Sequence, residues 1–434
     1  MRIRSARILF WAAAVALMAG ATAVAGNTSA APQAAPPTAQ SDTVALDDLV
    51  REAVAKNPAI QSAQRKAEAV RRRVPQVRTL PDPVVTVGWA GNAVPFEVQN
   101  GDSSSYRGLS AMQQIPLGGK LGLRGKVAER EGEVASWESE ITRRRVVAEV
   151  KAVYYEYFYL HTALGITHKN HALLEKLARI AEVRYQVGKG VQADVLRAHV
   201  ELSRLRQRMT VLEQQQNTAR ARLNTLLFRD PEAALGPPAA VQTTSLDQTL
   251  EQLYELAAAN DAELQRQQKL VEREQVTVAL VRKDYVPDLS VGWMYQQRPG
   301  MPDMHGATFS LNLPIFYKSK QRERVKEAQL ELESTARARD DRKTNLAFEV
   351  KEQYLTARAA EELMRLYSQG VVPQSSLALE SSMASYEVGT VDFLTVITNF
   401  TTVLDYETEY YREVANLRIA MARLEPLVGV ELTN

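Results

Sequence analysis

The sequence predicts a mainly α-helical chain with a small β part, built as one helix–strand–strand–helix plan written twice. Three observations predict it. First, Leu46 to Trp89 aligns without a gap on Leu250 to Trp293, with Glu68 facing Glu272, Val74 facing Val278, Val77 facing Val281 and Pro83 facing Pro287. Further motifs recur in the same order: Ile115-Pro116-Leu117 with Leu313-Pro314-Ile315, Val150-Lys151 with Val350-Lys351, and Tyr185-Gln186-Val187-Gly188 with Tyr386-Glu387-Val388-Gly389. Units of this length are not solenoid repeats, so they are two large halves of one body. Second, apolar residues recur at helical spacing over long stretches that Gly and Pro barely interrupt. Third, short runs bounded by Pro and Gly alternate apolar with small or polar residues, the period of a strand.

The chain begins with a basic start (Arg2, Arg4, Arg7), an apolar run from Ile8 to Ala19 and the small-x-small triplet Ala23-Val24-Ala25. This predicts an export signal over residues 1–25. The run is short for a bilayer-spanning helix, which needs about 20 residues; a retained anchor is the competing reading. Residues 26–43, rich in Ala, Pro, Ser, Thr and Gln, read as a flexible tether. No other apolar stretch is long enough to span as a helix. The processed protein is therefore expected either to be soluble or to cross a membrane as β-strands.

The first repeat is expected over 44–230. Leu46 to Arg78 is helical, interrupted near Asn57-Pro58 and stopped by Pro81 and Pro83. Pro83 to Ala90 and Tyr106 to Ile115 read as strands around a loop containing Ser103-Ser104-Ser105. After Gly118-Gly119 a helix runs to Val187. Its seam is Val127, Val134 and Ile141, then Val146, Val150, Val153, Tyr157, Leu160 and Leu164, close to a coiled-coil pattern. At 1.5 Å per residue such a helix is a rod of roughly 100 Å. Gly188-Lys189-Gly190 breaks it, and Gln192 to Phe228 returns. Residues 231–245, with Pro231 and Gly236-Pro237-Pro238, form the linker. The second repeat, 246–430, has helix Leu250 to Tyr285, strands Pro287 to Gln296 and Ala307 to Leu313, and a long helix Ser319 to Val388. The seam of that helix is Val325, Leu332, Leu346, Val350 and Ala357. A break at Gly389-Thr390 precedes the return helix Asp392 to Glu425.

Along the strands Val85, Val87 and Trp89 share one face, as do Leu289, Val291 and Trp293, and Phe309, Leu311 and Leu313; small or polar residues occupy the other. The Trp residues and Tyr295 stand near strand ends, where an interfacial aromatic girdle would lie. A half-buried soluble hairpin is the plain alternative. Four strands alone cannot close a transmembrane barrel, which needs at least eight. Oligomerisation closes it, and three chains would supply twelve strands.

These motifs together resemble the TolC-type outer-membrane efflux channel family. The resemblance spans Leu46 to about Val430. It rests on the duplicated plan, the Ile115-Pro116-Leu117-Gly118-Gly119-Lys120 run, Leu313-Pro314-Ile315-Phe316, the two tip turns and the closing helix to Leu427-Val428-Gly429. The Gly122-Leu123-Arg124-Gly125 stretch is similar to members beside heavy-metal and copper efflux pumps. The resemblance implies a homotrimer with a twelve-stranded barrel in the outer membrane and its lipid, continued by a long α-helical barrel through the periplasm. It implies a passive duct, with a periplasmic adaptor and an inner-membrane pump of RND type as partners. It places adaptor docking at the turns Val187-Gly188-Lys189 and Val388-Gly389-Thr390. It places the aperture at Asp194 and Tyr386, the acidic and aromatic members of the closing latch. The family's latch Arg falls on Val391, and its two constriction Asp positions fall on Thr395 and Thr398, so a latch of Tyr386–Asp194 and threonine hydroxyl hydrogen bonds is expected.

Other classes fit less well. A net charge of +2 gives no reason to expect a nucleic-acid partner, and the absence of Cys removes disulfides, thiolate metal sites and Cys nucleophiles. No Gly-rich phosphate loop, Gly-x-Ser-x-Gly elbow or His-Glu-x-x-His motif occurs, so neither an enzyme nor a cofactor is expected. Two metal candidates remain beside a plain surface reading. His161, His168 and His171 lie within about 80° on one helix face by the 100° step. Met301 and Met304 with His305 suit a soft cation. A type I protein-secretion channel shares the architecture. A periplasmic hairpin adaptor would carry one long hairpin and more strands than are found here.

Overall fold

In a computed structural model of the chain, residues 43–93, 96–242 and 244–433 are described. The export signal expected at 1–25 and nearly all of the tether expected at 26–43 lie outside the described residues. The first half opens with α1 (Leu46–Lys56), α2 (Pro58–Arg71) and α3 (Arg73–Arg78). Strands β1 (Val84–Ala90), β2 (Asn92–Ala93), β3 (Phe96–Glu97) and β4 (Tyr106–Ile115) follow, then the helices α4 (Lys120–Gln186) and α5 (Gln192–Leu226). The second half has α6 (Leu250–Asn260), α7 (Ala262–Arg282), β5 (Leu289–Gln297) and β6 (Met304–Leu311). It closes with α8 (Gln321–Leu366), α9 (Val372–Val388) and α10 (Phe393–Val428).

The halves match down to single hydrogen bonds. Asn57 caps α2 by accepting from Ala59 N at 2.9 Å, and Asp261 caps α7 by accepting from Leu264 N at 2.7 Å. Gln61 donates to Ala55 O, and its counterpart Gln265 donates to Ala259 O, both at 3.0 Å. The expected single helix over Leu250 to Tyr285 is therefore corrected to two helices. Asp261 does the work that Asn57 does in the first half, because a short acceptor side chain at an extended residue satisfies the orphan amides of the next helix. A 3-10 turn over Lys283–Tyr285 ends the second copy.

The cores are seams between helices. Val150, Tyr154 and Leu160 of α4 bury against Leu49 of α1 and Leu223 of α5. Leu346 and Val350 of α8 bury against Leu253 of α6 and Leu417 and Leu424 of α10. Gly125 lets the arginine at the end of α3 lie across α4: a Cβ there would stand 2.3 Å from Arg78 Nε. Polar clamps join the halves. Lys120 Nζ donates to Asp288 Oδ1 and Val286 O, both at 2.7 Å, just where α4 leaves the sheet. Lys151 Nζ donates to Glu425 Oε2 at 2.6 Å and to Thr433 Oγ1 at 2.9 Å, pinning the C-terminal segment.

The second long helix departs from expectation. Where Ser319 to Val388 reads as one helix, α8 gives way to a π-helical turn at Tyr367–Val371 before α9, and Pro373 stands in the first turn of α9.

The main sheet has the order β1-β4-β5-β6, antiparallel throughout, so the β4–β5 pairing welds the two halves. Register places Val85, Val87 and Trp89 level with Ala111, Leu109 and Arg107. Leu109 and Ala111 are level in turn with Tyr295 and Trp293, and Val291 with Phe309. Directly opposed residues share a face, so one face carries these apolar residues, with Arg107, Gln113 and His305 among them, while Val84, Met112 and Met294 stand on the other. Thr86, Gly88, Ser110, Gln114, Ser290, Gly292, Thr308 and Ser310 fall on the other. Many apolar side chains stay exposed, among them Val87 at 74% and Phe309 at 71%. Strand β6 begins at Met304 rather than Ala307, because β5 runs on to Gln297 and gives Met304 and His305 partners at Gln296 and Tyr295. Among the described residues no helix is long and apolar enough to cross a membrane.

Candidate functional site at the helical tips

The two hairpins, α4/α5 and α8–α9/α10, turn back at the same end and share a core there. Leu174, Leu177 and Ala181 of α4 and Ala198 of α5 pack with Phe393, Val396 and Phe400 of α10. Both turns close in the same way. Gly188 (φ +72°) donates to Tyr185 O at 3.1 Å, and Lys189 N donates to Arg184 O at 2.8 Å. Gly389 (φ +85°) donates to Tyr386 O, and Thr390 N donates to Ser385 O, both at 3.0 Å. This is the Schellman pattern, in which a left-handed residue satisfies the last helical carbonyls. It pushes Val187 and Val388 outward, 62% and 77% exposed, with Lys189 and Thr390 exposed beside them.

Tyr386 is buried under the turn. Its ring lies 5.3 Å from that of Phe393, and its hydroxyl donates to Asp194 Oδ2 at 3.4 Å. Asp194 stands in the first turn of α5, so this bond crosses from one hairpin to the other. Burial first, then the nearby Asp194 carboxylate, pushes the Tyr386 phenol above its ordinary pKa, while Arg184 opposes the shift. Thr395 and Thr398 lie on the exposed face of α10. Their hydroxyls bond within their own helix: Thr395 donates to Asp392, and Thr398 donates to Leu394 O at 2.9 Å. The hydroxyls expected to bridge helices are thus occupied locally, as short hydroxyl side chains on helices tend to be.

Three residues at this end escaped the sequence reading. Asp392 caps α10, accepting from Thr395 N at 3.1 Å, and the Thr395 hydroxyl and amide hold its carboxyl below the usual range. A negative charge thus stands beside the two threonines. Arg197 adds a favourable charge to it. Arg184, in the last turn of α4, places its guanidinium 4.6 Å from the centroid of the Tyr386 ring. It donates to Tyr386 O, to Glu387 O at 3.1 Å and to Lys189 O at 3.2 Å. The cation beside Tyr386 thus comes from the other hairpin. A tip arginine four residues before the turn glycine Gly188 was the available signal.

The metal candidates do not converge. His161 Nδ1 is 3.1 Å from Gln216 Nε2, and His171 Nδ1 lies 3.7 Å from Glu175 Oε1. His168 is exposed. Met304 and His305 are strand neighbours, so their side chains leave opposite faces. His305 rests against Tyr295, with ring centroids 5.1 Å apart. Among the described residues no three His, Cys, Asp or Glu side chains gather as ligands.

A half-apolar sheet of four strands on two long hairpins, joined at their far tips, defines a channel subunit of the outer-membrane type. The chain belongs to the outer membrane efflux protein family, which matches residues 49–227 and again 253–430. No curated protein matches it by sequence. Among solved structures it is similar in fold to VceC from Vibrio cholerae, at 16% identity over 89% of this chain and 96% of that one, TM-score 0.76. It is similar to CusC, at 13% identity over 88% and 91%, TM-score 0.75. It is also similar to the open state of MtrE from Neisseria gonorrhoeae, at 14% identity over 89% of each chain, TM-score 0.74. The protein is an efflux channel component of the outer membrane, with a large helical part on the periplasmic side. The family match gives no support to the periplasmic adaptor or protein-secretion readings.

Proposed function

We propose that three copies of this chain form one passive exit duct for small solutes or metal ions, energised by an inner-membrane pump of RND type through a periplasmic adaptor. Residues 44–230 and 246–430 are then two copies of one unit, joined by 231–245. The observation that carries the reading is the sheet. Among the described residues it has a largely apolar face, a largely small and polar face, and two edge strands, β1 and β6, that pair with no further strand. In lipid every backbone donor and acceptor needs a partner, so open edges are tolerated only when another copy closes them. The apolar face then meets lipid, and the face carrying Thr86, Ser110, Ser290 and Ser310 lines water. The exposed turns Val187-Gly188-Lys189 and Val388-Gly389-Thr390 are the adaptor contacts. Asp194 and Tyr386 form the latch, and Thr395 and Thr398 line the aperture.

The absence of Cys makes the test clean. A Val87→Cys, Phe309→Cys double variant places one thiol on each edge strand, with two strands between them within a chain. A short bifunctional reagent applied to membranes is expected to give covalent dimers and trimers. Products confined to single chains would refute the trimer. A single cysteine at Val388, carrying a photoreactive probe, is expected to capture the adaptor.

A further inference from the structure

We propose that Arg184 is a positioning residue that makes the two tip turns a single docking unit and keeps the Tyr386 latch set. This rests on the docking and latch roles proposed above. A guanidinium carries five donors in a rigid planar fork. Here the fork meets three carbonyls, and they belong to different hairpins. Lys189 O, at 3.2 Å, is on its own turn. Tyr386 O and Glu387 O are 202 and 203 residues away in sequence, on the last turn of α9. Helix C-termini concentrate partial negative charge on such carbonyls, so a cation between them is held by both, even though Tyr386 O also accepts from Gly389 N. An arginine serving only its own helix would have no acceptor on α9.

Two further contacts tie the clip to the latch. The Arg184 guanidinium lies over the Tyr386 ring at 4.6 Å, and that ring's hydroxyl reaches Asp194. Gly389 leaves the guanidinium its space: a Cβ there would stand 3.1 Å from Arg184 Nη2. The arrangement is one-sided. The position in the second repeat that matches Arg184 is Ser385, which cannot reach back. A partner that spreads the two turns must therefore break the bonds of Arg184. The same motion takes the cation off Tyr386 and loosens its hold on Asp194, so docking and opening are coupled through one side chain.

Amide hydrogen exchange of the detergent-purified full-length protein tests this without any adaptor. Arg184→Gln is expected to speed exchange roughly tenfold in both segments 187–190 and 386–391, the loss of charge-assisted hydrogen bonds at each. Arg184→Lys is expected to restore the first segment more than the second, because a point charge cannot bridge three carbonyls. Gly389→Ala, which crowds Nη2 while leaving Arg184 in place, is expected to loosen both segments as well, and stands in should Arg184→Gln fail to assemble. An effect confined to 187–190, no effect in either segment, or full restoration by lysine would overturn the proposal. A failure of the turns to bind adaptor would leave these exchange results standing, so the two readings fail separately.

Discussion

The first hairpin rises on one unbroken helix of 67 residues, α4, whereas the second covers the same span with α8, a π turn and α9, of 46, 5 and 17 residues. The second path is one residue longer. The repeats locate the insertion: Val150 and Val350 are 200 positions apart, but Tyr185 and Tyr386 are 201 apart. A residue added inside a packed helix is absorbed as a π turn, which keeps the seam on both sides in register. Pro373 fits there because it has no N–H to lose and its ring needs the widened backbone. Gly370 has open space around it, and the Tyr367 ring rests 5.7 Å from that of Tyr406 on α10. The difference separates roles. On the proposed reading the first hairpin acts as a strut, and the second carries a weaker segment between the sheet and Tyr386.

The strongest challenge to this contrast is to empty the core the hairpins share. Phe393 is fully buried and touches the latch ring. Phe393→Ala is expected to cost about 3–5 kcal/mol, seen as a lowered melting temperature together with raised conductance in planar bilayers. An unchanged melting temperature would mean that the tips are not a joint core.

The two turn glycines sharpen the comparison. Gly188→Ala meets no atom within 4 Å, so only its left-handed φ opposes the methyl group, at about 1 kcal/mol. Gly389→Ala adds the clash with Arg184 and is expected to destabilise more, about 2 kcal/mol in all. Equal losses in paired thermal melts would remove the asymmetry.

A smaller effect is expected from deleting Gly370. The inserted residue goes, the π turn becomes α-helix, and the second hairpin copies the first. Exchange across 365–375 is expected to slow, with the channel harder to open and its melting temperature held or raised. Faster exchange there would show that the π turn is not the weak point.

The smallest effect is a pH response. The phenol of Tyr386 has a raised pKa in the folded tip. Its contribution is therefore complete below the unfolded value of about 10 and is lost as pH rises through the folded one. Tip exchange is expected to quicken only above about pH 10, and Tyr386→Phe is expected to abolish that response. Asp392 works in the opposite sense. Its lowered pKa confers stability that is present above about pH 4 and lost as pH falls through the folded value.

Much of this was legible before any coordinates. Tyr106 to Ile115 lies between the Ser103-Ser104-Ser105 loop and Pro116, so both ends of β4 could be read. The seam through Val146, Val150 and Leu160 follows from spacing alone. The second break at Asp261 was readable in principle, since it aligns with Asn57, but a cap of Asn-Pro announces itself and one of Asp-Ala does not. The π turn was hidden in the shift of repeat spacing from 200 to 201. Lys151 and Lys351 align as a motif, yet Lys151 is buried against Glu425 and Lys351 is exposed. Only tertiary contacts separate them. Arg184 was visible as a tip arginine before a glycine turn, but its acceptors on α9 are backbone atoms that no residue type betrays.

The bare edges of β1 and β6 also bear on biogenesis. A lone subunit entering hydrocarbon would carry two rows of unmatched amides and carbonyls, each costing several kcal/mol. If three copies close the barrel as proposed above, insertion waits for company, with subunits gathering first and entering the bilayer as one closed ring. Delivery to the membrane then depends steeply on how many finished copies the periplasm holds at once, and a mixed population with one edge-damaged subunit would stall whole rings rather than single chains.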